Sequence, residues 1–361
     1  MTIALDATYS LDRKPSGVAV YCQRLIEALA HGAPDEQFLL CYRARRLLRS
    51  LRYSLPEENC SRRLLEEFAC SLFRRRVSLF HGLNQRLPQC RFRRNVTTFH
   101  DLFVLSGDYS TAEFRSRFSA LARDAAGRSD HIIAVSEFTA DQVSRHLGYP
   151  RNQISVIHHG VQPVPSFPSK QLDEFRRRQG LEMPFLLHVG AIQKRKNVSR
   201  IVDAFERLNA QCTLVLAGSA GYGAEQIMDR IENSAARRRI RPLGYVDSGR
   251  LAMLYRSASV LVFPSIEEGF GMPVLEAMSA GLPVVTSDRS ATAEIAGGGA
   301  LLVDPERSES IADAVERIFT NPRLRQQLVE AGLERAAEFS WIRAAHETMA
   351  VYRKLLPQTP F

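Results

Sequence analysis

The chain of 361 residues has no C-x-x-C pair, and its six cysteines, Cys22, Cys41, Cys60, Cys70, Cys90 and Cys212, are scattered. Neither a zinc site nor a disulfide framework is indicated, and reduced thiols are the expectation. No apolar run approaches the roughly 18 residues that a membrane-spanning helix requires. The first residues, MTIALDATYS, lack the long apolar core of a signal peptide, so a cytoplasmic protein is expected. Several cofactor and metal fingerprints are missing too. There is no complete G-x-G-x-x-G, no G-x-x-x-x-G-K-[ST] and no D-x-D, and HETMA at 346–350 breaks H-E-x-x-H at its last position. A dinucleotide-dependent oxidoreductase, the nearest rival in another enzyme class for a chain of this pattern, thus lacks its signature.

Acidic residues are scarce in the front half. Residues 1–170 hold 24 Lys/Arg against 16 Asp/Glu, whereas residues 171–361 hold 24 against 23, so +8 of the net +9 lies in the first part. Within residues 43–94 there are 14 basic and 4 acidic side chains, including Arg74-Arg75-Arg76. Such a surface suits anionic membranes, phosphorylated acceptors or nucleic acid; a merely solvated basic face is the plain alternative. With 45% hydrophobic and 24% charged residues, the chain is otherwise ordinary globular material, long enough for two domains.

Strand and helix patterns alternate along its length. TIALDA (2–7) reads as a strand, a loop holding Pro15, Ser16 and Gly17 follows, and residues 17–30 carry apolar residues at helical spacing. Strands are expected at 38–42, 78–82, 95–102 and 131–136, with a basic, partly helical region up to about residue 76, and ISVIHHGV at 154–161 closes the first half. NVTTFHDL ends in His100-Asp101, a polar pair that would touch a substrate, pack on a loop or cap the next segment. Residues 162–169, QPVPSFPS, hold three prolines and mark a linker. A second run of strands follows at 184–192, 213–219, 259–265, 283–287 and 300–304, with helices between and after them. Alternation of this kind predicts parallel sheets, hence two doubly wound, Rossmann-like α/β domains facing each other across a cleft. The boundaries expected are 1–165 and 170–340, with 341–361 a last helix that crosses back onto the first domain.

Three stretches of the second half fall at the ends of its strands, where doubly wound sheets bind ligands. One is Arg195 and Lys196, a guanidinium fork and an ammonium suited to a diphosphate. The next is the glycine-rich AGSAGYG at 217–223. The third is EEGFGMPVLEA at 267–277, where Glu268 and Glu276 frame a turn made by Gly269 and Gly271, and Pro273 suits a first helical turn. Glu276, expected in that first turn and ionised, could accept two hydrogen bonds from a vicinal diol such as ribose. Glu268 would meet a sugar. Standing alone, either glutamate would read as a helix-terminal or surface charge; together they suggest a ligand with phosphate and hydroxyls.

VGAIQKRKN, GYV at 244–246, LVFPSIEEGFGMPVLEAMSAGLPVV and FSW at 339–341 resemble the retaining glycosyltransferases of family 4, also called group 1. The similarity covers nearly the whole chain and is most specific between residues 185 and 305. It implies a GT-B fold with the donor nucleotide held by the C-terminal domain and the acceptor by the N-terminal one. It places Arg195 and Lys196 on the donor diphosphate, Glu276 on ribose, and Glu268 with Gly269, Phe270, Gly271 and Met272 around the hexose. Tyr245 and Val246 would lie beside the base, Gly17 would let the first loop approach the phosphates, and His100 would border the reacting sugar. Gln193 and Lys194, where an acidic residue and proline are common, and Gly297-Gly298-Gly299 depart from the family pattern.

The order HDLFVL, VSEF, HHGV and IQKRKN resembles the mannosyltransferase branch of bacterial polysaccharide assembly. The function expected is therefore transfer of mannose from GDP-mannose to a glycan or lipid-linked saccharide, with a UDP-sugar glucosyl or hexosyl transferase as the alternative. The catalytic set that the resemblance implies is Glu268, His100, Arg195 and Lys196, acting by front-face attack in which the departing diphosphate would take the acceptor proton. No cofactor and no metal are expected, because no D-x-D is present. The partners expected are the nucleotide sugar and a saccharide or lipid-linked saccharide acceptor, with peripheral contact to the inner face of an anionic membrane expected through the basic region. Nucleic acid is not expected. A non-enzymatic polyanion binder would leave the framed turn unexplained, and a GT-B epimerase or phosphorylase is the rival nearest in fold.

Overall fold

A computed structural model describes residues 1–12 and 16–356. Pro15 of the first loop lies outside the described residues. The chain divides into two compact units. Unit 1 comprises Met1–Ser106, Ala112–Gly160 and the segment from Phe339 onward; unit 2 comprises Gly107–Thr111 and Val161–Glu338.

The sheet of unit 1 contains β1 (Thr2–Asp6), β2 (Gln37–Tyr42), β3 (Cys60–Leu64), β4 (Leu79–Gly82), β5 (Asn95–Phe99), β6 (His131–Ala134) and β7 (Ile154–Val156), in the order β3-β2-β1-β4-β5-β6-β7. Unit 2 contains β8 (Phe185–Val189), β9 (Thr213–Ala217), β10 (Ile240–Gly244), β11 (Val260–Phe263), β12 (Val284–Ser287) and β13 (Leu301–Val303), in the order β10-β9-β8-β11-β12-β13. Every pairing is parallel. Parallel strands need crossover connections, and the helices that supply them cover the sheet and bury the central strands completely. Both units are thus doubly wound and Rossmann-like, as a GT-B protein requires.

Two strands were not foreseen. β3, CSRRL, falls in the region expected to be partly helical, and β10, IRPLG, was assigned no structure. Both are edge strands, where one row of backbone groups and one face meet solvent, so neither needs the continuous apolar run that betrays an inner strand. Pro242 is tolerated in β10 for the same reason.

Helices form where the spacing suggests. In Val198–Glu206 the buried residues Val198, Ile201, Val202 and Phe205 fall on one stripe against the sheet. Burying each contributes about 1.5–3 kcal/mol. Ser136 caps Glu137–Leu147 by accepting from the Thr139 amide at 3.0 Å. The last helix, Trp341–Leu355, packs against Gly17–Gly32 inside unit 1, and its Tyr352 hydroxyl meets His81 Nδ1 at 2.5 Å. Gly160 makes this packing possible, since a Cβ there would stand 2.2 Å from the Trp341 amide nitrogen.

No helix among the described residues is long and apolar enough to cross a membrane. All six cysteines are buried free thiols.

Candidate functional site

In unit 2 the segments following β8, β9 and β11 meet at the carboxyl edge of the sheet. Gly190, at φ 142°, ends β8, and Gly218 follows β9 so tightly that a Cβ would stand 1.8 Å from the Gly190 carbonyl oxygen. Only glycine allows this approach. Lys194–Lys196 then makes one short 3-10 turn, closed by Asn197 in the left-handed region at φ 61°. The buried Asn197 amide donates to the Pro264 carbonyl at 3.0 Å and to the Pro305 carbonyl at 2.6 Å. A backbone bond from the Ile266 amide to the Arg195 carbonyl, 2.9 Å, completes the join between the two loops.

This join brings three of the expected site residues together. Arg195 Nη1 lies 3.0 Å from Glu268 Oε2 and donates to the Glu267 carbonyl at 2.5 Å. Lys196 Nζ lies 2.5 Å from Glu268 Oε1 and 4.7 Å from the centre of the Phe263 ring. The two cations and the carboxylate are each about nine-tenths buried. Burial alone would push the Glu268 carboxyl up, but the fields of Arg195 and Lys196 outweigh it and hold the pKa at about 2. The cluster therefore carries two positive charges and one negative charge.

Glu276 sits apart from this cluster. The helix begins at Met272, after Gly271 at φ 100°, so Glu276 is its fifth residue rather than a member of the first turn. It accepts a hydrogen bond from the buried Tyr255 hydroxyl at 2.7 Å. Its carboxyl pKa is raised by burial, with the tyrosine acting in the opposite direction. The helix-terminal stabilisation of the ionised form expected from sequence is thus corrected: burial governs this group. Gly269 and Phe270 lie in the loop between the two glutamates. A Cβ at Gly271 would come within 3.1 Å of the Thr292 methyl.

Tyr245 and Val246 follow β10, two strands out from β8, with Tyr245 exposed. Gly17 and His100 belong to unit 1. Gly17 opens the first helix, where a Cβ would meet nothing within 4 Å. His100 is buried; its Nε2 bonds the Leu83 carbonyl at 2.9 Å and its ring meets Tyr21 edge-on at 4.6 Å. Burial lowers its pKa to about 4, so the ring is neutral at pH 7, with Nε2–H donating and Nδ1 left as an acceptor.

From the sequence, Tyr255 and His188 receive no role, and Asn197 appears only as the end of the RKN stretch, without its bridging role. His188 lies inside β8, where Nδ1 meets the Val262 carbonyl at 3.1 Å, and burial lowers its pKa to about 4. A polar residue in an otherwise apolar strand was the available signal. Among the described residues no group of three or more His, Cys, Asp or Glu side chains is placed to hold a metal ion.

Comparison with known proteins adds relatives to this geometry. Two family models match, Glycosyltransferase Family 4 over residues 15–164 and Glycosyl transferases group 1 over residues 170–335. The chain is 29% identical over 284 residues to O-antigen chain mannosyltransferase B of Escherichia coli, covering 77% of this chain and 74% of that one. It spans 60% of one further curated relative and 29% of another. Among solved structures, sucrose-phosphate synthase of Thermosynechococcus elongatus superposes with a TM-score of 0.79 at 22% identity, covering 98% of this chain and 99% of that one. HepE of Anabaena, solved with UDP and glucose, gives 0.76 at 17% identity over 98% and 99% of the two chains. Those two likenesses establish the fold.

Proposed function

We propose that this chain, a GT-B-fold glycosyltransferase related to the group 1 and family 4 enzymes, moves a hexosyl group from a nucleoside diphosphate sugar to a saccharide acceptor with retention of configuration. The observation that carries this reading is the buried cluster of Arg195, Lys196 and Glu268. Two buried cations would be costly without a counter-charge, and Glu268 supplies one while leaving the cluster net positive. A diphosphate supplies the negative charge that this positive surplus attracts. As the glycosidic bond breaks, charge grows on the departing diphosphate, and Arg195 and Lys196 are held in place to stabilise it. The diphosphate takes the acceptor's proton, so no separate base is needed. Glu268 faces the hexose together with the backbone of Gly269 to Met272, Glu276 receives the ribose diol, and Tyr245 and Val246 flank the base. Gly17 offers open backbone to the phosphates, and the neutral His100 ring accepts from a sugar hydroxyl.

The structural neighbour solved with UDP and glucose supports a UDP-sugar donor. The E. coli mannosyltransferase relative supports the second reading, mannose from GDP-mannose. Incubation with UDP-glucose, UDP-galactose and GDP-mannose in turn, scored by release of the nucleoside diphosphate, distinguishes them. Release from none of the three, together with no binding of UDP or GDP, would refute both readings. Proton NMR of the product linkage reads retention.

Peripheral contact with an anionic membrane is supported by Leu48, Leu51, Phe68 and Leu72, which are 66–83% exposed in the arginine-rich region 43–94. Flotation with anionic vesicles should weaken with salt, and salt-independent binding would contradict it.

A further inference from the structure

We propose that a cavity at the carboxyl edge of the unit 1 sheet is a subsite for a phosphoryl group on the acceptor, held by Arg43, Arg86 and Arg117. The cavity measures about 450 Å³. Arg43 directly follows β2, Arg86 lies in the loop after β4, and Arg117 is in the first part of the helix Ala112–Arg128 that follows β5. The sheet order reverses between β1 and β4, and ligands of doubly wound sheets bind beside such a switch point. Asp6, at the end of β1, sits there too. Burial pushes its carboxyl pKa up, while hydrogen bonds from Thr8 and the fields of Arg43 and Arg86 oppose that.

What sets these three apart is that they converge on one cavity from three different strand ends; some neighbouring arginines are engaged elsewhere. Arg46 pairs with Asp12, Arg94 with Asp130 and Arg128 with Asp124, and Arg62 donates to the Tyr53 carbonyl. Among the described residues, the Arg43, Arg86 and Arg117 side chains make no hydrogen bond or ion pair. Of the two acids on the rim, Glu66 accepts from the Ala44 amide at 3.3 Å and Glu67 is exposed. Three guanidinium groups around one cavity repel each other, and an anion of tetrahedral shape relieves that repulsion through paired N–H donors. Leu65, Leu87 and Leu121 supply apolar wall beside them, so the phosphoryl group can carry an apolar stem. A second unit 1 cavity, about 320 Å³, offers no such demand, because its Asp12, Glu27 and Arg62 already have internal partners. A third, about 330 Å³, is also lined by three arginines, Arg45, Arg49 and Arg52, but these belong to the helix Ala44–Ser50 and the turn after it rather than to three separate strand ends.

The acceptor role rests on the glycosyltransferase reading; the phosphoryl site does not. Calorimetry on the full chain saturated with UDP or GDP keeps the probes out of the nucleotide site. Two probes, geranyl diphosphate and glucose 1-phosphate, are titrated into the wild type and into Arg43→Glu, Arg86→Gln and Arg117→Glu. Arg43 and Arg117 are exposed, so the charge reversals there leave the fold intact. At least one probe should bind, and each substitution should weaken it about tenfold or more, the loss of a charge-assisted contact. Tighter binding of the prenyl probe identifies a lipid-linked acceptor; binding of the sugar phosphate at least as tight identifies a soluble phosphosugar. No binding of either probe, or binding indifferent to all three substitutions, overturns the proposal. If neither nucleotide binds, the glycosyltransferase reading fails by itself, and the probes titrated alone still decide the arginine site.

Discussion

Replacing Glu268 by Gln keeps the side chain's shape and removes its charge. Two buried cations, 3.0 and 2.5 Å from its oxygens, then lose their counter-ion. At an effective dielectric of about 20, each pair is worth roughly 5–7 kcal/mol of gross attraction. Desolvation offsets much of this in the wild type, but the variant keeps the desolvation cost of Arg195 and Lys196 without the attraction. Breaking a buried pair from one side costs about 3–5 kcal/mol. For a unit of this size that lowers the melting temperature by roughly 6–20 °C. A nucleoside diphosphate brings back negative charge, so UDP or GDP should raise the melting temperature of Glu268→Gln more than that of the wild type. Transfer should nevertheless fall, because the carboxylate proposed to face the sugar is gone. Scanning calorimetry with and without nucleotide, beside a donor-turnover assay, reads both effects. A variant as stable as the wild type, or one that loses nucleotide affinity as steeply as it loses turnover, would refute the reasoning.

Acid should weaken unit 1 before it reaches the Glu268 pair. His100 and His81 have folded pKa values near 4 and 3, both depressed by burial from 6.5, so the unfolded chain takes up their protons first and stability is lost as pH falls from about 6.5 towards 4. The Glu268 carboxyl, depressed from 4.5 to about 2, contributes stability that is complete above pH 4.5 and lost as pH falls towards 2. A melting temperature flat between pH 7.5 and 4.5 would sink the first assignment. Asn197→Ala leaves the Pro264 and Pro305 carbonyls without their donor and puts a Cβ-bearing alanine at φ 61°, costing about 2–4 kcal/mol in urea unfolding; Asn197→Gly should cost less, and equal losses would put the whole effect on the hydrogen bonds. Glu276→Gln should weaken UDP or GDP binding but leave the affinity of a 2′,3′-dideoxy analogue unchanged, and a parallel loss for both would move Glu276 off the ribose.

Much of this was legible because the inner strands are apolar on both faces. FLLHV, TLVLA and VLVF declare themselves as short apolar runs, each followed by glycine, proline or charge, and the chemistry sits where those runs end. The edge strands β3 and β10 hid behind arginines and a proline because only part of their surface is buried. Arg195, Lys196 and Glu268 could each be named from their local stretch. Their ion pairing, across some seventy residues of chain, could not, since periodicity describes one element at a time. The same limit hid Tyr255, which fixes Glu276 from another helix, and the His81–Tyr352 bond that ties the last helix to β4. Glu276 was misjudged for a related reason. Where a helix begins depends on the φ of Gly271, and burial depends on what packs around it; neither is written in the spacing of residues.

The central claim is that the Arg195–Lys196–Glu268 cluster holds the diphosphate of a nucleotide sugar. Isothermal titration of UDP and GDP into the wild type and Lys196→Ala tests it most directly. At least one nucleotide should bind the wild type, and removal of the ammonium should weaken it by about tenfold or more, the loss of one charge-assisted contact. Equal affinity in the two proteins would contradict the account.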